Sequence, residues 1–184
     1  MFYEMFSFVI EIVAGIFAGF LLLRFWMQAL RLRPPSSLGQ AMFQITDWMV
    51  KPIRRIVPGF GGLDWASLIA AFLVALLSIA LESIFSGQFH VSLLLLAAII
   101  RLVQWILYGL MALLVLEAIL SFVNPYAPLA PTIRALNAPL LSPVRRLVPP
   151  VGGIDFSTLV VLIILQLLSR VLMSVLPRLY FYLA

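Results

Sequence analysis

The chain has 184 residues, of which 64% are apolar and 10% charged, with a net charge of +5 and no cysteine. A soluble domain carries about 25% charged and about 45–50% apolar residues, and a chain this short has too little interior to hide the excess. The composition therefore excludes a water-soluble fold and makes lipid the solvent. Disulfides, thiolate-bound zinc and iron–sulfur clusters are excluded with the cysteines, and a lone His90 argues against a histidine metal site. The cationic balance points to anionic headgroups rather than nucleic acid, since juxtamembrane Lys and Arg gain about 1 kcal/mol each at such a surface.

A helix crosses the hydrocarbon core with about 20 apolar residues. The first stretch that qualifies spans residues 5–31, with Glu11 and Arg24 inside it. Its leading end carries Glu4 rather than a cation and its apolar run is long, so it reads as a span and not as a cleaved signal. A link follows. Leu38, Met42, Ile45, Trp48 and Met49 recur at helical spacing and predict an amphipathic helix. Such a helix lies in the membrane interface or packs on the protein's own core; the sequence allows both. Next comes the phrase K51-P-I-R-R-I-V-P-G-F-G-G-L-D64, and then a second span, 66–86, containing Glu82.

A short turn, 86–90, leads to a third span, 92–122, with Arg101 and Glu117. The second link repeats the apolar rhythm at Leu129, Ile133, Leu136 and Leu140, and leads to S142-P-V-R-R-L-V-P-P-V-G-G-I-D155. The fourth span, 157–182, carries Arg170. Eleven of the 12 prolines fall in the two links.

A shift of 91 residues superposes the two phrases: Pro52, Arg54, Arg55, Gly61, Gly62 and Asp64 fall on Pro143, Arg145, Arg146, Gly152, Gly153 and Asp155. The chain is thus an internal duplication, 1–90 and 91–184. A two-span unit returns to its starting side, so the copies share one orientation. The expected fold is an all-α membrane protein with four transmembrane helices in two parallel two-span repeats, each with an interfacial amphipathic helix in its long link. The first proline of each phrase is expected to break the link helix. Lys51 and the arginine pairs are expected at phosphate headgroups or at a partner, with the glycines re-aiming the backbone. Asp64 and Asp155 are expected to cap the following spans or to pair with a neighbouring Arg. An anion site is another reading of two arginines beside a glycine turn, although no Walker-type spacing accompanies them.

Charges inside spans are costly unless paired. At a rise of about 1.5 Å per residue, Glu11, Glu82, Arg101 and Arg170 fall in the half nearer the turn, and Arg24 and Glu117 near the links. Compensating pairs are expected, Glu11 with Arg101 and Arg24 with Glu117; a polar ion path is the alternative. The links hold most of the cations, so the positive-inside bias puts them in the cytoplasm and both termini outside.

The doubled pattern P-[IV]-R-R-[IL]-V-P-x-x-G-G-[LI]-D-[WF], each followed by a span, resembles the YggT family, which includes the YlmG proteins. The likeness covers nearly the whole chain as two copies of the family unit. The first copy is the less typical, with Ala66 where the second has Ser157. The resemblance implies a small integral protein of the bacterial inner membrane. It also implies links to osmotic-stress tolerance and potassium uptake, to division and nucleoid distribution, or, in one plastid branch, to haem attachment. It supplies no catalytic residue, and the sequence shows no nucleophile–base pair, metal spacing or cofactor fingerprint. The expectation is a non-enzymatic scaffold or assembly factor tied to envelope organisation or division, without cofactor. Anionic lipid is its expected partner, beside a homo-oligomer or another membrane protein. The alternative is an ion-transport component in potassium uptake.

Overall fold

The computed structural model describes residues 2–86, 91–148 and 155–183. Residues 87–90 of the expected turn 86–90, with His90, and Gly152 and Gly153 lie outside the described residues. The described chain is helical: α1 (Phe2–Ala29), α2 (Ser36–Ile56), α3 (Trp65–Ser86), α4 (Val91–Val123), α5 (Ala130–Leu147) and α6 (Ser157–Leu183). Helices α1, α3, α4 and α6 are long and apolar enough to cross a membrane. In the hydrocarbon only a helix satisfies every backbone group within its own segment. The four apolar stretches of the sequence are these four helices, and the protein is a multi-pass membrane protein.

Each repeat is a three-helix unit. Helices α1, α2 and α3 pack on one another, as do α4, α5 and α6, and α4 joins the units by packing on both α1 and α3. Small side chains permit the close approach of α1 and α3. Ala66, Ser67, Ala70, Ala71, Ala75 and Ser78 form a buried stripe on α3, whose alanines share one core cluster with Ala18 and Leu21 of α1. Leu114, Leu141, Val161 and Leu165 form the corresponding core of the second unit.

Met42 and Ile133, which are equivalent at the 91-residue shift, are buried together with Met27 and Leu136 where the units meet. The Trp26 indole N–H crosses that seam to donate to the Leu136 carbonyl at 3.0 Å.

The link helices depart from expectation in two ways. The buried stripe of α2 is Met42, Thr46 and Val50, whereas Ile45 and Trp48, expected on the same apolar face, are exposed. The helix is rotated so that Thr46 faces Arg24 of α1. Second, Pro52 and Pro143 do not break the helices. They lie inside them, as does Pro139, and α2 and α5 continue to Ile56 and Leu147. A proline removes one i→i−4 bond and crowds the preceding turn. Here the flanking residues hold the helix through that loss, since Val50 and Ile53 sit in one core cluster and Leu141 and Val144 in another.

Each link helix instead ends before the residue that precedes the second proline of its phrase in the sequence. Val57 precedes Pro58 at φ −117, ψ 90 and Val148 precedes Pro149 at φ −120, ψ 90, since a residue before proline is driven out of the α region. After Pro58 the chain turns through Gly61 and Gly62, at φ +67 and +80, which glycine adopts without strain. Helix α1 ends in a Schellman-type turn, with Leu32 N–H on the Met27 carbonyl and Arg31 N–H on the Gln28 carbonyl, both at 2.9 Å. Arg31 takes the left-handed position at φ 55, where glycine is usual.

Candidate functional site: two charge centres at the link ends

The phrase repeated in the sequence builds a charge centre in each unit. In the first, Asp64 stands immediately before α3 and caps it. Its carboxylate accepts from the Ser67 backbone N–H at 3.3 Å and the Ser67 hydroxyl at 2.7 Å, and its negative charge suits the helix N-terminus. The same buried carboxylate accepts from Arg54, in the last turn of α2, and from Arg24 Nε of α1 at 3.3 Å.

Arg24 is itself buried, 6% exposed. Its Nη1 donates to Asp47 Oδ1 at 2.7 Å and to the Thr46 hydroxyl at 3.0 Å, and its guanidinium lies 4.9 Å from the centre of the Phe43 ring. Lys51 closes the set on Asp47 at 2.9 Å. One guanidinium therefore ties α1 to α2 and to the start of α3. Burial works to raise the pKa of Asp47. The hydrogen bonds from Lys51 and Arg24, with the charges of both, outweigh it and hold the carboxyl below its ordinary value.

The second centre uses the same phrase with a different third partner. Asp155 accepts from Arg145 Nε at 2.7 Å and from the Ser157 backbone N–H at 2.9 Å. Burial again works to raise its pKa, but the bonds from Arg145 and Ser157 and the Arg145 charge bring it below the ordinary value. Arg145 also reaches Glu117 of α4 at 3.5 Å. Asn137, which falls on Thr46 at the 91-residue shift, donates to Glu117 at 2.7 Å and to the Leu113 carbonyl at 2.9 Å. Its own Oδ1 is buried without a donor among the described residues. The serines are placed differently: Ser157 donates to the Val148 carbonyl at 3.3 Å, whereas Ser67 donates to Asp64. The first centre thus carries Arg24, Lys51 and Arg54 against two acids, and the second carries Arg145 against Glu117 and Asp155.

The pairs expected from estimated depth do not form. Arg24 binds Asp47 and Asp64 rather than Glu117, which binds Arg145 and Asn137. Arg101 binds Glu82 through two nitrogens at 3.1 and 3.0 Å, and Glu11 takes no part. Depth along a helix fixes level but not facing. Arg101 and Glu82 lie on neighbouring α4 and α3, and the acids nearest Arg24 come from the links and not from a span. Within each arginine pair of the phrase, the first member, Arg54 or Arg145, is engaged internally. Arg55 and Arg146 are exposed, with no hydrogen-bond or ion-pair partner among the described residues. No group of His, Cys, Asp and Glu among the described residues has the geometry to hold a metal.

The family model described as CCB3/YggT matches residues 3–85 and again residues 96–176. The chain belongs to the CCB3/YggT family. It contains the family unit twice in tandem, and each copy contributes one charge centre. The chain is 32% identical over 172 residues to an uncharacterized protein of Pseudomonas aeruginosa, PA0392, covering 91% of this chain and 87% of that one. It is 29% identical over 164 residues to the uncharacterized protein YggT of Escherichia coli K12, covering 89% and 86%. An uncharacterized Vibrio alginolyticus protein is 28% identical over 184 residues, 96% and 98% of the two chains. No solved structure matches the chain.

Proposed function

We propose that this CCB3/YggT-family protein is a non-catalytic scaffold of the bacterial cytoplasmic membrane. In this reading α2 and α5 form a cationic platform at the cytoplasmic face that seats on anionic headgroups and gathers envelope or division components. The observation that carries the reading is the mixture displayed at the link ends. Trp48, Ile56, Phe60 and Leu147 are exposed, the last three above 80%, and they flank the exposed cations Lys51, Arg54, Arg55 and Arg146 along the chain. Apolar tips beside exposed cations, of which Arg55 and Arg146 have no acid partner among the described residues, suit the level where acyl chains meet phosphates. The internal ion pairs hold this surface in fixed register with the spans.

The ion-transport reading needs polar groups along the bundle, and the described charges argue against it. The link-side centres and the Glu82–Arg101 pair are separated by apolar packing that includes Ala18, Leu21, Ala70, Ala71, Val74 and Ala75. The test is thermal unfolding in bilayers of phosphatidylcholine with and without phosphatidylglycerol. Wild type gains stability from the anionic lipid, and Arg55→Gln/Arg146→Gln loses most of that gain. An equal gain in both proteins would overturn the platform.

A further inference from the structure

Two charged side chains within the spans stand outside both centres and outside the Glu82–Arg101 pair. Glu11 of α1 and Arg170 of α6 are exposed, and among the described residues neither has a hydrogen-bond or ion-pair partner. Exposed on a spanning helix means facing lipid, where a lone charge is expensive.

The two lie at one depth. Arg24 touches Asp64, which fixes a common level for α1 and α3, and Asp155 holds the equivalent place before α6. Glu11 is 13 residues back from Arg24 along α1, or ~20 Å at about 1.5 Å per residue. Arg170 is 15 residues on from Asp155, or ~23 Å by the same rise. The difference is less than one helical turn, and an arginine side chain spans it. Gln166, one turn before Arg170, is also exposed and can donate to the same carboxylate.

The two helices face different neighbours within the chain: α1 packs on α2, α3 and α4, and α6 on α4 and α5. We propose that a second copy of this chain supplies the missing partners, Glu11 of one copy pairing with Arg170 of the other as α1 lies antiparallel along α6. A complementary pair carried by one chain, opposite in sign and level in depth, is satisfied by its own copy and by no lipid of single charge. The proposal needs only that the four helices span the membrane and is independent of the scaffold reading.

The absence of native cysteine makes the test direct. Phe8 and Met173, both exposed, lie one turn from Glu11 and one turn from Arg170 and face each other in this antiparallel pairing. Phe8→Cys and Met173→Cys copies, co-expressed with their charges intact and oxidised in native membranes, give a disulfide-linked species of twice the 20.5 kDa chain. Adding Glu11→Arg to both copies lowers that species about tenfold, the change that ~1.4 kcal/mol produces. Adding Arg170→Glu as well restores it, which also shows that the reversed chain folds. No cross-linked dimer, a dimer indifferent to Glu11→Arg, or no recovery in the double reversal would each overturn the proposal, and would leave Arg170 snorkelling to the surface.

Discussion

Arg31 shows how a single backbone position can carry strain that leaves no mark in a composition. It occupies the left-handed region at the end of α1, where a Cβ costs roughly 1–2 kcal/mol. Arg31→Gly should therefore raise stability by about 1 kcal/mol, read as a higher unfolding midpoint in detergent; a lower midpoint would mean that the side chain contributes more than the strain removes. The carboxylates of Asp47 and Asp155 predict an acid dependence. Both have folded-state pKa values below the ordinary 3.8, so the unfolded chain takes up protons first as pH falls. Their contribution is complete above about pH 5 and declines through and below about pH 4. Melting curves from pH 7 to pH 3 should stay level and then fall, and Asp155→Asn should flatten the fall. Of the two, Asp155 was legible in the repeated phrase. Asp47 was legible only as a polar residue of an amphipathic helix, because its partner Arg24 is 23 residues away and no local pattern joins them.

At the scale of the element, the four apolar helices were readable to within a few residues, because twenty apolar residues in a row have one stable form in lipid. The link helices were readable as helices but not in their ends or their facing. A proline rule applied locally stops α2 at Pro52, yet tertiary burial of Val50 and Ile53 carries the helix past it to the residue before Pro58. Pro52→Ala should accordingly keep the helix and raise stability, since proline is about 3 kcal/mol worse than alanine in a free helix interior; the core contacts already offset part of that. Gly61→Ala should do the opposite, costing about 1 kcal/mol through backbone strain alone, because no atom lies within 4 Å of the added Cβ. Circular dichroism with thermal unfolding checks both. A loss of helical signal in Pro52→Ala would contradict the packing account.

Across the whole molecule, the duplication makes two similar units that solve one problem differently. Each phrase places an Asp before a span and an Arg on it, but the neighbour completing the centre is a cation of α1 in the first unit and an acid of α4 in the second. Arg24 and Glu117 therefore belong to separate networks. Arg24→Leu should destabilise by about 3–5 kcal/mol, the cost of stripping a partner from a buried charge. Adding Glu117→Leu should not rescue it, and the two losses should add; recovery in the double variant would show the networks to be one. Paired charges at the link ends, with apolar packing between them and the Glu82–Arg101 pair, support the proposed scaffold, in which the charges fix helices and conduct no ion. The measurement that bears most directly on this is potassium release from sealed vesicles containing the purified protein, with valinomycin added last to show that the gradient was intact. Vesicles with the protein should hold potassium as long as protein-free vesicles do until valinomycin is added; a protein-dependent release before that point would contradict the account.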